Sequence, residues 1–162
     1  VQDAQDSFYI ALRDRLLAFN PNRVMTLRAV KRPGILVEAS EAPVSEMQND
    51  IFVLRWSGLS VLHNLPRPLV SMTCEIRYAT SGSQAYAGLD RGRALAEMDR
   101  ELMHILRPLR SPKLSFSSTP AIALQTQVFW NVPEWGVLET ERDQMLRTVT
   151  VTVFSFEEKG EA

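Results

Sequence analysis

Cysteine and histidine are almost missing from this chain: Cys74 is the one cysteine, and His63 and His104 are the two histidines. A single thiol excludes an intramolecular disulfide and every multi-cysteine zinc site, and two imidazoles beside it supply a transition metal poorly. No apolar run approaches the roughly 20 residues that cross a bilayer as a helix. The first residues, with Asp3 and Asp6 among them, lack the basic-then-apolar order of a signal peptide. A reducing, cytoplasmic place of folding is therefore expected, away from membranes. Charge of one sign is not in excess either, since 18 Lys and Arg face 19 Asp and Glu and leave a formal net charge of −1. A general nucleic-acid binder carries a basic surplus, so specific nucleic-acid binding is not expected. Gly82, Gly88 and Gly92 fit neither G-x-G-x-x-G nor a P-loop, and no cofactor is expected.

What remains is an ordinary globular composition, 45% hydrophobic and 23% charged over 162 residues. That length suits one domain, here 1–162 with a core over about 7–157, and it buries enough surface to need no disulfide or metal. Two segments have helical period. Phe8, Leu12, Leu16 and Phe19 form one apolar stripe, with Asp6 or Ser7 as cap and Asn20-Pro21 as stop. Arg13, Asp14 and Arg15 fall on its outer face. Leu95, Met98, Leu102, Ile105 and Leu109 mark a second helix from about Asp90, a candidate N-cap, to about Leu106.

Strand period is clearer. Val70, Met72, Cys74, Ile76 and Tyr78 alternate with Ser71, Thr73, Glu75 and Arg77, as in a strand with one buried face. Val149, Val151 and Val153 alternate with Thr148, Thr150 and Thr152, and Phe154 and Phe156 fall on the threonine side. Ile51–Trp56 is apolar on both faces except Arg55, which predicts a central strand. Leu124–Trp130 reads as another, while Val24–Val30 and Ile35–Val37 are weaker strands flanking Arg32-Pro33-Gly34. Long loops are expected over 57–69, 79–89 and 110–122, with a Trp135-Gly136 excursion before the last strand. The fold class expected is α+β, a single domain with two helices packed on one face of a mainly antiparallel or mixed β-sheet.

Few residues offer chemistry. His104 adjoins the apolar stripe of its helix and reads as a partly buried packing residue rather than a catalyst. His63, beside Asn64, reads as a solvated loop residue. Cys74 falls on the core face, where a thiol is inert. The carboxylates Glu38, Glu41, Glu46, Asp50, Glu75, Glu97, Asp99 and Glu101 include no pair whose spacing marks acid–base work. No enzymatic activity is expected. Two features suit protein binding better. Arg107, Arg110 and Lys113 gather three cations in a proline-punctuated stretch, which reads either as a helix exit or as a docking loop for an acidic partner. Phe129, Trp130 and Trp135 lie on or near the last hairpin, and because strand neighbours face opposite ways, Phe129 and Trp130 cannot both enter one core.

The order of these elements resembles the tail terminator proteins of long-tailed phages, the family of the lambda-type minor tail protein U. The resemblance spans about residues 7–157. It is carried by Arg32-Pro33-Gly34-Ile35-Leu36-Val37-Glu38 followed by Glu41-Ala42-Pro43, and by the threonine- and valine-rich closing run Thr148–Phe156. Two features differ from the family's pattern: Val44–Asp50 intervenes before the next strand, and the Ser57–Leu69 connection is extended. The resemblance implies a structural protein without cofactor that forms a hexameric ring on the finished tail tube and offers a surface to the head–neck proteins. It would assemble in the host cytoplasm and end in a virion tail or a phage-like particle. The rival expectations are an assembly or neck subunit of another phage-like or secretion-like apparatus, and an enzyme with an unsuspected site.

Overall fold

The two alternating runs become the two longest strands of a computed structural model that describes residues 1–41, 48–159 and 161. In order, the elements are α1 (Gln2–Phe19), β1 (Val24–Leu27), β2 (Val30–Pro33), β3 (Ile35–Val37), α2 (Glu38–Glu41), β4 (Phe52–Leu62), β5 (Leu69–Thr80), α3 (Arg91–Ile105), β6 (Arg110–Ser115), β7 (Ile122–Trp130), β8 (Glu134–Trp135), β9 (Glu139–Glu141) and β10 (Gln144–Phe156). The main sheet runs β3-β4-β5-β10-β7-β6, with β8 and β9 also paired to β10, and β1–β2 is a separate hairpin. Only β3–β4 is parallel among these pairings, so the sheet is mixed but mainly antiparallel. The fold is α+β, as expected.

Both long helices cover one face. Val70, Met72, Cys74, Ile76 and Tyr78 of β5 and Val149, Val151 and Val153 of β10 are buried there against Phe8, Leu12 and Leu16 of α1 and Leu95, Met98, Leu102 and Ile105 of α3. The polar partners of each alternation lie on the other face. Thr80↔Met145 to Leu69↔Phe156 pair without a break, so the valine face of β10 and the core face of β5 are one surface. A smaller apolar cluster of Leu36, Ile51 and Val53, with Met25 packed against it, lies apart from the main core at the β3–β4 side.

Several boundaries differ from the expectations. Helix α1 begins ahead of Asp6 and Ser7, which lie inside it rather than capping it. Ser7 is accommodated because its hydroxyl donates to the Asp3 carbonyl (2.6 Å) and accepts from the Leu114 amide (2.9 Å). Asp90 does occupy the N-cap position of α3, but its carboxylate accepts from the Ser83 amide (2.8 Å) rather than from the helix. The two weaker strands are arranged otherwise. The segment 24–33 folds on itself as the β1–β2 hairpin, with Arg28 and Ala29, at φ 51° and 65°, at its turn and Arg32-Pro33 inside β2. Ile35–Val37 pairs with β4 instead. Strand β4 continues through Ser57–Leu62, so only 63–68 remain of the loop expected over 57–69. A bulge between Trp56 and Gly58 takes up the irregular stretch that mimics a loop in sequence. In the 79–89 stretch a 3-10 turn occupies Gln84–Tyr86. Residues 110–115 form β6, with Pro112 tolerated because this is an edge strand. Ala4 is also buried, and Glu158 and Glu161 are bonded to Thr126 and Lys113. Ala42, Pro43 and most of the Val44–Asp50 insertion, with Glu46, lie outside the described residues.

The β6 edge is sealed by one polar stripe of α1. Asp3 accepts from the Phe116 amide (3.2 Å), Ser7 accepts from the Leu114 amide, and Arg15 donates to the Arg110 carbonyl (2.7 Å). Covering an edge this way removes a template for unwanted strand pairing. Cys74 has no exposed surface, and burial pushes its thiol well up. A thiol reagent should therefore label Cys74 far more slowly in native protein than after denaturation. Equal rates would place it at the surface.

Candidate docking surface

Helix α3 ends at Ile105 with its last carbonyls free of intrahelical partners. Arg15 fills that need: its guanidinium donates to the carbonyls of Ile105 (2.9 Å), Arg107 (3.3 Å) and Pro108 (3.1 Å) as well as Arg110. The Trp130 indole donates to the Leu106 carbonyl (3.0 Å), and the Arg15 guanidinium lies 5.5 Å from that ring. The exit from α3 is thus held through its backbone, while the side chains of Arg107 and Arg110 stay exposed.

Facing this exit is the Trp135-Gly136 excursion. Trp135 pairs with Val149 of β10, and the Gly136 amide donates to the Thr148 carbonyl (2.9 Å). A β-carbon on residue 136 would lie 2.3 Å from that carbonyl oxygen, so glycine is what permits the approach. Arg147, paired with Asp99 (2.9 Å), also donates to the Gly136 carbonyl (2.6 Å). Between the two walls lies a groove of about 240 Å³, lined by Met103, Leu106, Arg107, Leu109, Val132, Pro133 and Trp135. Met103 and Val132 are 44% and 72% exposed, so the apolar lining is open to a partner.

The six residues expected at a binding site are divided by the fold. Arg107 and Trp135 meet across this groove, and Arg110 lies exposed at the start of β6. Lys113 belongs to no docking loop. It is wholly buried in β6, where its ammonium donates to Ser155 (3.0 Å), the Phe156 carbonyl (2.5 Å) and Glu161 (2.5 Å). Trp130 is likewise a core residue, 3% exposed and edge-on to Phe8. Phe129 faces the opposite side of the sheet, where it is half-buried and stacks on Phe154 at 5.5 Å. Met103, Leu109, Val132 and Pro133 escaped sequence reasoning. They come from three separated segments, and only Met103, an apolar residue off the α3 stripe, carries a local sign.

Several ionisable side chains elsewhere pack or pair within the fold. His104 is exposed and stacks on Phe19 (3.8 Å between centroids), so it packs without being buried. His63 is exposed. Glu101, 2% exposed, is bonded by Asn20 and paired with Arg23 (2.6 Å). Arg32 and Glu41 pair at 2.8 Å beside Tyr9. Among the described residues no three His, Cys, Asp or Glu converge as metal ligands, and no helix is long and apolar enough to cross a membrane.

Two tyrosines are perturbed. Burial, with Glu41 acting in the same direction, pushes the Tyr9 hydroxyl up to about 12, and burial with a hydrogen bond to Asp99 pushes Tyr78 up as well. The neutral forms are thus favoured by folding. Their contribution is whole below the ordinary tyrosine value of about 10 and is lost as pH rises through the folded values. Urea midpoints should accordingly fall between about pH 10 and 12, and fall less steeply in Tyr9→Phe. Equal slopes would mean that Tyr9 ionises freely.

No protein-family model matches the chain, and no curated protein matches it.

Proposed function

We propose that this chain is a structural tail protein of a phage or phage-like particle, a terminator that forms a six-subunit ring on the tail tube and joins it to the head–neck proteins. The observation that carries this reading is the Arg107–Trp135 groove. Its lining is apolar with one cation, and contains no carboxylate, imidazole, hydroxyl or thiol that could act as nucleophile or base. Such a surface takes up apolar side chains and pairs with an acidic group, which is binding chemistry. The α+β order of elements, from the Arg32–Glu41 stretch to the Thr148–Phe156 strand, supports the terminator among assembly proteins.

The test is electron microscopy and co-sedimentation with purified tail tubes. Wild-type protein should cap tubes. Arg107→Glu with Arg110→Glu should fold normally, since exposed substitutions usually change stability by less than about 0.5 kcal/mol, yet attach more weakly. Lys113 stays unchanged in that variant. Wild-type protein that leaves tubes uncapped overturns the terminator reading, and a double variant that sediments like wild type removes the groove from it.

A further inference from the structure

The chain carries two exposed surfaces of opposite charge, each with an apolar centre. On the β1–β2 hairpin, Val30 is 62% exposed between the exposed cations Arg28 and Lys31. On the β8–β9 excursion, Val137 and Leu138 are 77% and 49% exposed beside the exposed carboxylates Glu134, Glu139 and Glu141. Among the described residues, none of these five charged groups has an ion-pair partner. The two other arginines of the hairpin region, Arg23 and Arg32, are engaged with Glu101 and Glu41. In the turn after β9 the exposed Arg142 and Asp143 offset each other, so the net free charge is positive on the hairpin and negative on the excursion.

Their placement decides who can join them. The hairpin leads through Gly34 directly into β3 at one edge of the sheet, and the Gly34 amide is tied to the Arg23 carbonyl (2.8 Å). Strand β9 pairs with the side of β10 that faces away from β5. Strands β4, β5 and β10 lie between β3 and β9, so four spacings of about 4.8 Å, roughly 19 Å in all, separate them. Both sit towards the same end of the strands, because Ile35 aligns with Phe52, Phe52 with Tyr78, and Tyr78 with Arg147, next to the β9 ladder at Leu146.

We propose that the basic β1–β2 hairpin of one copy docks on the acidic β8–β9 excursion of a second copy of this chain. The charges are complementary and both centres are apolar, which is the composition of a specific interface. Because the two surfaces differ, the contact is head-to-tail, and every docked copy leaves one surface of each kind for the next. Closure of that series into a ring rests on the terminator reading; the pairwise contact does not.

The experiment is sedimentation velocity over a concentration series at low and physiological salt, with circular dichroism to check folding. Wild-type protein should self-associate, and less so at higher salt, since the contact is partly exposed charge. Arg28→Glu with Lys31→Glu, and separately Glu139→Lys with Glu141→Lys, should each weaken self-association by about tenfold or more, because like charges now face each other. Mixing the two variants should restore assembly, since each then meets an opposite surface, and the fourfold variant should assemble alone. A wild-type chain that stays monomeric at low salt overturns the contact, as do folded variants that assemble like wild type or a mixture that does not recover. If the charge exchanges behave as expected but the assemblies leave tail tubes uncapped, the contact stands and the terminator reading falls. Tubes capped by charge-reversed variants as well as by wild type sink the contact and keep the terminator.

Discussion

Lys113→Ala should lower stability by about 3–5 kcal/mol, because removing one partner of a buried ion pair leaves the other charge uncompensated. The Lys113 side chain has no exposed surface, and Glu161, its carboxylate partner at 2.5 Å, is only 6% exposed. Glu158 approaches the same ammonium at 3.9 Å, and the Phe156 carbonyl accepts from it directly. One cation thus ties the end of β10 and the segment beyond it to β6. At this chain length each kcal/mol moves the midpoint by about 2–4 °C, so the melting temperature should fall by roughly 6–20 °C. Arg107→Ala and Arg110→Ala, drawn from the same cationic stretch, should change stability by less than about 0.5 kcal/mol each. Lys113→Met combined with Glu161→Gln should recover part of the loss, since residue 161 then carries no uncompensated charge and Glu158 keeps its bonds from the Gln125 and Thr126 amides. A melting temperature for Lys113→Ala equal to that of Arg107→Ala would return Lys113 to the surface.

That contrast shows where the sequence stops being legible. Arg107, Arg110 and Lys113 look alike on paper, three cations in a stretch broken by Pro108 and Pro112. What separates them is that Lys113 finds Ser155, Phe156 and Glu161, each more than 40 residues away in the chain. Strand β6 has no apolar alternation to announce it. Its inward positions are the polar Ser111, Lys113 and Ser115, and the Lys113 ammonium is satisfied there by Ser155 and Phe156 at the end of β10. Strand β5 is the opposite case. Val70 to Tyr78 faces an apolar core, so period and burial coincide and its pattern could be read directly.

The aromatic pair in β7 was half legible. Alternation requires Phe129 and Trp130 to face opposite ways, but only the register decides which turns inward. Val153 stands opposite Trp130, and Phe154 opposite Phe129, so the valine side of β10 carries Trp130 into the core. The Arg107–Trp135 groove was less legible still. Met103 comes from α3, Leu109 from the turn after it, and Val132, Pro133 and Trp135 from the excursion, so no local pattern joins them. Arg15 was similarly hidden. It reads as an outer-face charge of α1, yet it caps the carbonyls that hold Arg107 at the groove's rim.

Val151→Asp should abolish or nearly abolish folding, and Thr152→Asp, one residue along the same strand, should not. Val151 stands opposite Cys74 in the centre of β10 and has no exposed surface. A carboxylate there would be buried among apolar side chains of α1, α3 and β5 without a partner, at a cost of several kcal/mol or a shift to the neutral acid. Total stabilities of domains are about 5–15 kcal/mol, so that loss takes a large fraction of the whole. Thr152 turns to the other face and is only half-buried, which leaves a carboxylate there in reach of water. Urea unfolding of both variants reads the difference directly, with insolubility of Val151→Asp counting as loss of fold. The outcome bears on the proposed function because the Arg107–Trp135 groove exists only if α3 covers this face of the sheet. Its walls are the end of α3 and the excursion that pairs with β10 at Val149, two residues from the substitution. If Val151→Asp unfolds at the wild-type midpoint, the covered face is the other one. Phe129, Phe154 and Phe156 would then be core, and the Arg107–Trp135 groove would lose the layer that forms it.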